Sequence, residues 1–356
     1  MNAESSKPEE RPFHRPGDAV WLKRWSEPVL EPGLAIVDAH HHLFDRPGWR
    51  YLFDDLLEDL GSGHKVVATV YLQCGQHYRS AGPEHMRPVG ETEFVESVAA
   101  LSATGEYGPA RACAAIVGYA DLTLGALVDE VLEAHLAVAP ARFRGIRHGA
   151  ATDADPAFAR PGPRPPPGLL RDAAFREGFA RLANYGLSFD AWLYHPQLPD
   201  LIDLARAYPS TPIVLNHVGG LLGIGGYQGR RDEILGQWRA SIRQLAACPN
   251  VVVKLGGLGM RQCGFGFHEA PEPPTSLQLA AAWRPYVETC IEAFGAGRCM
   301  FESNFPVDQL SCSYPVLWNA FKRIAAGCGA QEKADLFSGT AARVYRLDRV
   351  VAPKPA

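Results

Sequence analysis

Short apolar runs rich in β-branched residues recur along the chain, separated by stretches with helical periodicity. They cover residues 34–42, 66–73, 112–122, 143–150, 187–196, 212–219, 250–256 and 298–306. Each gap has room for a loop, a helix and a second loop. Leu124, Leu127, Val128, Val131 and Leu132 predict a helix over 124–138. Phe175, Phe179 and Leu182 predict another over 171–184, with Gly186 as its stop. Near-continuous apolar strands alternating with such helices predict an α/β fold, a (β/α)8 TIM barrel with long loops at its C-terminal face. The barrel is expected over residues 34–347, after an N-terminal arm (1–33) and before a frayed C-terminal tail (348–356). A doubly wound open sheet is the competing architecture, but it calls for a Gly-rich phosphate turn after an early strand, and none is present. GIGGYQG at 223–229 lacks the dinucleotide spacing and reads as a flexible lid. No nucleotide cofactor is expected.

Composition narrows the class. At 356 residues, 47% hydrophobic and 21% charged, the chain has the balance of a globular protein and not of a disordered one. A net charge of −4 argues against nucleic-acid or anionic-membrane partners, which call for a basic excess. The first residues are polar and Pro-rich, unlike a signal peptide or membrane anchor. Eight scattered cysteines form no CxxC pair, so neither a thiolate zinc site nor a redox motif is expected, and a cytoplasmic location is. The 35 glycines and 29 prolines fit long loops over a barrel mouth.

Barrels of this kind carry their chemistry at the C-terminal ends of the strands. Polar residues crowd those ends: His40 and His42, Gln73, Arg147 and His148, His195, Asn216 and His217, Lys254, then Glu302 and Asn304. Strand alternation puts Asp38, His40 and His42 on one face, with Ala39 and His41 on the other. Two imidazoles so spaced can chelate one divalent metal or clamp one oxyanion. An isolated HxH is more often a pair of hydrogen-bonded core histidines, but this one ends the first barrel strand and has further histidines on strands five and six. Lys254 is expected to point inward, either to bind a substrate oxygen or to pair with Glu302. His135 and His268 read as structural or solvated. Tyr78, Arg79 and Arg87 on loops, with Arg147, suggest a cationic pocket for a small anionic substrate, although Arg79 and Arg87 fit surface ion pairs at least as well.

IVDAHHHLFD, FRGIRH, LNHVGG and MFESNFPVD, in that order, resemble the amidohydrolase superfamily. More narrowly they are similar to its amidohydrolase-2 branch, which holds the sugar-lactonase and 2-pyrone-4,6-dicarboxylate lactonase-like hydrolases. The resemblance runs from about Leu34 to Leu347 and implies a TIM-barrel hydrolase. It implies that His40 and His42 are the first-strand pair, that His217 is the sixth-strand histidine, and that Arg147 holds an anionic substrate. The last strand departs from the pattern. Asn304 stands where the family has the water-activating aspartate, and an amide cannot take a proton at neutral pH.

Glu302, Asp308 beyond the strand in a mobile position, or a histidine could replace that base; Glu302 is favoured, with an ion pair to Lys254 or Arg147 as its structural alternative. Arg147 on strand four repels a second metal. A single zinc could use His40 and His42 with His217 or His195, so the cofactor expected is none or one weakly bound divalent metal. The leading reading is a hydrolase opening a small carboxylated lactone or related cyclic ester. His40, His42 and His217 would stabilise the oxyanion, while Arg147, His195, Lys254, Gln73 and Tyr78 would bind substrate. The alternatives are a lyase, either a decarboxylase or a hydratase, which evolved CO2 would reveal in the first case, and a non-catalytic metabolite-binding barrel. A homo-oligomer is compatible with all three.

Overall fold

The computed structural model describes residues 16–159 and 164–347. The outer part of the expected arm (1–15), part of the Pro-rich loop after the fourth strand (160–163) and the expected tail (348–356) lie outside the described residues.

All eight expected strands are present: β1 (Ile36–His41), β2 (Val66–Leu72), β3 (Arg111–Gly118), β4 (Phe143–Ile146), β5 (Ser188–Ala191), β6 (Ile213–Leu215), β7 (Val251–Leu255) and β8 (Cys299–Phe301). They are joined in sequence order by parallel pairing, with helices between them. The seam between β8 and β1 is closed by single bonds rather than a ladder. Asn304 N donates to His40 O at 2.8 Å, and His42 N donates to Phe305 O at 2.8 Å.

Two clusters explain the apolar runs. Residues such as Ile36, Phe189, Val253 and Phe301 face the surrounding helices, while Val37, Val70, Val117, Val214 and Met300 fill the barrel. The final helix (Thr340–Val344) closes the floor, and Tyr345 after it is fully buried in the inner cluster. The arm packs on the outside: Asn319 Nδ2 donates to Glu27 Oε1 at 2.7 Å, and Lys322 Nζ donates to Leu30 O at 2.7 Å.

Two expectations need adjustment, and one element is new. The segment at 124–138 is a 3-10 turn (Leu122–Leu127) followed by an α-helix (Val128–Val138), because Gly125 takes φ 58° and breaks the helix. The segment at 171–184 divides likewise into Ala173–Arg181 and a 3-10 turn (Leu182–Tyr185), which Gly186 ends at φ 61° as expected. A short hairpin (Phe44–Arg46 with Trp49–Tyr51) follows β1; strands of three residues carry too little alternation to be read.

Candidate active site

Simple alternation fails on β1. Its pairing with β2 is irregular between Asp38 and His41, the mark of a bulge. Ala39 packs in the barrel interior with Val37, whereas Asp38 accepts a hydrogen bond at 3.0 Å from the hydroxyl of Tyr314, a residue of the helix beyond β8. Asp38 therefore does not share the face of His40 and His42, and burial raises its pKa to about 6. His41 also turns away from the site, 2.8 Å from Thr69 Oγ1.

His40 and His42 converge inside. Their Nε2 atoms are 3.2 Å apart, and Arg147 Nη1 lies 3.2 Å from the same His40 nitrogen. His42 Nδ1 is 2.8 Å from Leu72 O, a carbonyl that can only accept, so this nitrogen carries the proton and Nε2 the lone pair. Burial holds both rings well below the ordinary histidine pKa, with Lys254 adding to it at His40 and Arg147 at His42. Both imidazoles are therefore neutral.

Glu302 joins the histidines. Its Oε1 accepts from His217 Nδ1 at 2.7 Å and from His217 N at 3.1 Å, while Oε2 lies 2.9 Å from His40 Nδ1. All three residues are buried. A Cβ on Gly256 would come within 2.4 Å of Glu302 Cγ, and one on Gly257 within 2.4 Å of the His217 ring, so the Gly-Gly after β7 makes room for the pair. His217 and Asn304 both hold φ 55°, backbone strain of the kind concentrated at functional sites.

The remaining expected residues divide. Gln73 braces Arg147 from both sides, its side chain donating to Arg147 O at 3.0 Å and its own carbonyl accepting from the guanidinium. Lys254 points inward but pairs with Asp190 at 2.8 Å, not with Glu302. Asn304 donates its amide to Asp308 Oδ1 at 2.7 Å, and Asp308 also accepts from Gly259 N at 2.9 Å. Asp308 is thus fixed and fully buried rather than mobile, and burial pushes its pKa up to about 8. His195 stands apart from the cluster in the turn beyond β5, accepting from Leu222 N at 3.3 Å. Tyr78 is 38% exposed on the loop after β2. His135 is structural: it bonds Thr92 and the carbonyl of Tyr119. Arg79 pairs with Glu93.

Two participants escaped the sequence reading. Asp190 Oδ1 accepts from Lys254, from Asn216 Nδ2 at 3.1 Å and from the hydroxyl of Tyr345 at 2.9 Å, a polar layer directly below the histidines. A carboxylate within an otherwise apolar strand was a usable signal for Asp190; nothing local marks Tyr345.

A family profile described as Amidohydrolase matches residues 37–347. The chain belongs to this amidohydrolase family. It is 34% identical over 340 residues to an uncharacterised protein of Sinorhizobium fredii, covering 88% of this chain and 99% of the other. It is 30% identical over 334 residues to the L-fucono-1,5-lactonase of Burkholderia multivorans, covering 91% and 98%. A crystal structure of an amidohydrolase from Burkholderia multivorans with bound zinc matches with a TM-score of 0.67 and 27% identity, over 88% of this chain and 99% of that one. This family membership makes the protein an amidohydrolase-superfamily enzyme built on a TIM barrel.

The donor set can be tested against a metal. His42 Nε2 bears a lone pair 3.2 Å from His40 Nε2, and Glu302 Oε2 is buried 2.9 Å from His40 Nδ1 without a hydrogen-bond partner, an arrangement that one small cation would satisfy. His40, His217 and Glu302 also offer ligand atoms within 4.8 Å of one another. Neutral imidazoles with one carboxylate suit zinc. The guanidinium of Arg147 and the ammonium of Lys254, 3.5 Å from His40 Nδ1, oppose it. The donor atoms fit one metal, against which the two cations work. Glu302 thereby enters the donor set expected from His40, His42 and His217, and His195 leaves it.

Proposed function

We propose that this protein hydrolyses a small lactone, and that the substrate is a neutral, hydroxylated six-membered ring. The observation that carries the chemistry is the Glu302–His217 pair beside the converging His40 and His42. The lactonase of Burkholderia multivorans supports the substrate class. Of the cations that favoured a carboxylated substrate, Arg79 is paired with Glu93 and Arg147 spends one of its two amino groups on the Gln73 carbonyl, so the motive for an anion weakens.

Hydrolysis needs a base for water, donors for the oxyanion and a proton for the leaving alkoxide. Glu302 fixes the proton of His217 on Nδ1, which leaves Nε2 as the acceptor for the proton of water. The carboxylate then stabilises the imidazolium that forms, as an acidic partner does in a Ser-His-Asp triad. Arg147 is the donor beside His40 and His42 that faces the developing oxyanion. The protonated His217 returns its proton to the ring oxygen as the C–O bond breaks. A metal held by His40, with His42 or with His217 and Glu302, would add Lewis-acid polarisation of the carbonyl. Asn304 takes no proton; its amide is committed to Asp308.

The test is acid release from L-fucono-1,5-lactone and a panel of other lactones by wild type, H40A and H217A. Ring opening by wild type with a loss of at least about 100-fold in both variants supports the reading. Undiminished turnover in either variant overturns it.

A further inference from the structure

Beyond the histidine cluster, one aromatic side chain borders the site without any role so far. Trp192 is the first residue past β5. Asp190 points into the barrel, and two residues on Trp192 packs in part against Ala151, Phe158, Tyr194 and Leu222, apolar residues of the loops beyond the strands. Its ring stands edge-on to His217, with centroids 4.9 Å apart and planes at 79°. His217 in turn lies 4.5 Å from His40, so the three rings form a continuous wall leading from the mouth to the reacting centre.

The backbone at Trp192 is anchored, since Ala150 N donates to its carbonyl at 2.8 Å. Gly149 keeps the indole edge clear: a Cβ there would already touch Trp192 Cδ1 at 3.4 Å. The indole N–H has no hydrogen-bond partner among the described residues. Unlike those of Trp49, Trp283 and Trp318, it is not sealed in the interior either, and the side chain is only partly buried. A half-buried indole beside a reactive histidine offers an apolar face and an unspent donor together.

We propose that Trp192 is a specificity-determining residue: its face packs against the carbon skeleton of the lactone ring, and its N–H donates to a ring hydroxyl. This rests on the lactonase reading above. It separates the indole's two contributions, because packing is available to any six-membered lactone whereas the N–H rewards only a hydroxylated one.

The experiment compares wild type, W192F and W192A on L-fucono-1,5-lactone and on δ-valerolactone, which has the ring and no hydroxyls. W192F is expected to raise KM for the hydroxylated lactone about tenfold more than it raises KM for δ-valerolactone, with kcat for both within about threefold. W192A is expected to raise KM for both. A merely structural role moves kcat and KM for both lactones together in W192F, and that result overturns the assignment. So does a W192F indistinguishable from wild type while wild type remains active. If wild type opens neither lactone, the lactonase reading falls and the role of Trp192 falls with it.

Discussion

Glu302 holds His217 twice through one carboxylate oxygen, at 2.7 Å from the ring Nδ1 and 3.1 Å from the backbone nitrogen. The imidazole is thereby locked in orientation and in tautomer. E302Q keeps the shape and removes the charge that stabilises a protonated His217. It is expected to lower kcat by roughly 100- to 10,000-fold. Circular dichroism should match wild type; activity within about threefold of wild type would remove Glu302 from the mechanism.

Asn304 and Asp308 make a second pair that a single substitution cannot simply improve. N304D sets two carboxylates at a 2.7 Å contact, where only one can ionise without strong repulsion. Its Tm is expected to fall below that of wild type, and to fall further at pH 9 than at pH 6. The double variant N304D/D308N restores an amide–carboxylate pair and should recover most of the loss. Equal Tm values for single and double variants would contradict the coupling.

Acid should destabilise the fold through histidines whose rings face away from the site. Burial lowers the pKa of His41 and of His135 from 6.5 to about 4. A lowered pKa means the unfolded chain binds more protons between those values, so stability is complete above about 6.5 and is lost as pH falls toward 4. Asp308 has the opposite sign. Its raised pKa gives stability that is full below about 4 and is lost as pH rises through about 8. Thermal melts from pH 4.5 to 9 should therefore peak between these limits, and H135Q should flatten the acidic side.

Zinc binding offers an independent check on the donor set. Titration calorimetry on chelator-treated protein is expected to show about one site per chain, abolished in H40A. R147Q removes a cation next to the His40 nitrogen and should tighten binding about tenfold. Unchanged affinity in R147Q would mean that the ion sits elsewhere.

The barrel was legible in the sequence because eight apolar runs at regular intervals admit few architectures, and the strand-end rule then gathered His40, His42, Arg147, His217 and Glu302 at one mouth. What alternation could not reach was the bulge in β1, which separates Asp38 from the face of His40. Partner choice was equally hidden. Lys254 had two carboxylates within reach of its strand position, and only the three-dimensional neighbourhood selects Asp190 over Glu302. Tyr345 arrives from the far end of the chain, a contact no local pattern encodes.

The join between the first and last strands rests on the bonds from Asn304 to His40 and from His42 to Phe305. Those four residues are the chemistry or its immediate neighbours, so the one seam of the sheet without a ladder, reinforced by the bonds of Ser303 to Asp38 and His40, runs beneath the reacting atoms. A fluctuation that parts this stitch would scatter the histidine pair while the seven laddered joints stay shut, so activity is expected to be lost before the fold. On rising urea, turnover should vanish ahead of the far-ultraviolet signal, and the amides of His42 and Asn304 should exchange sooner than those of β6 and β7.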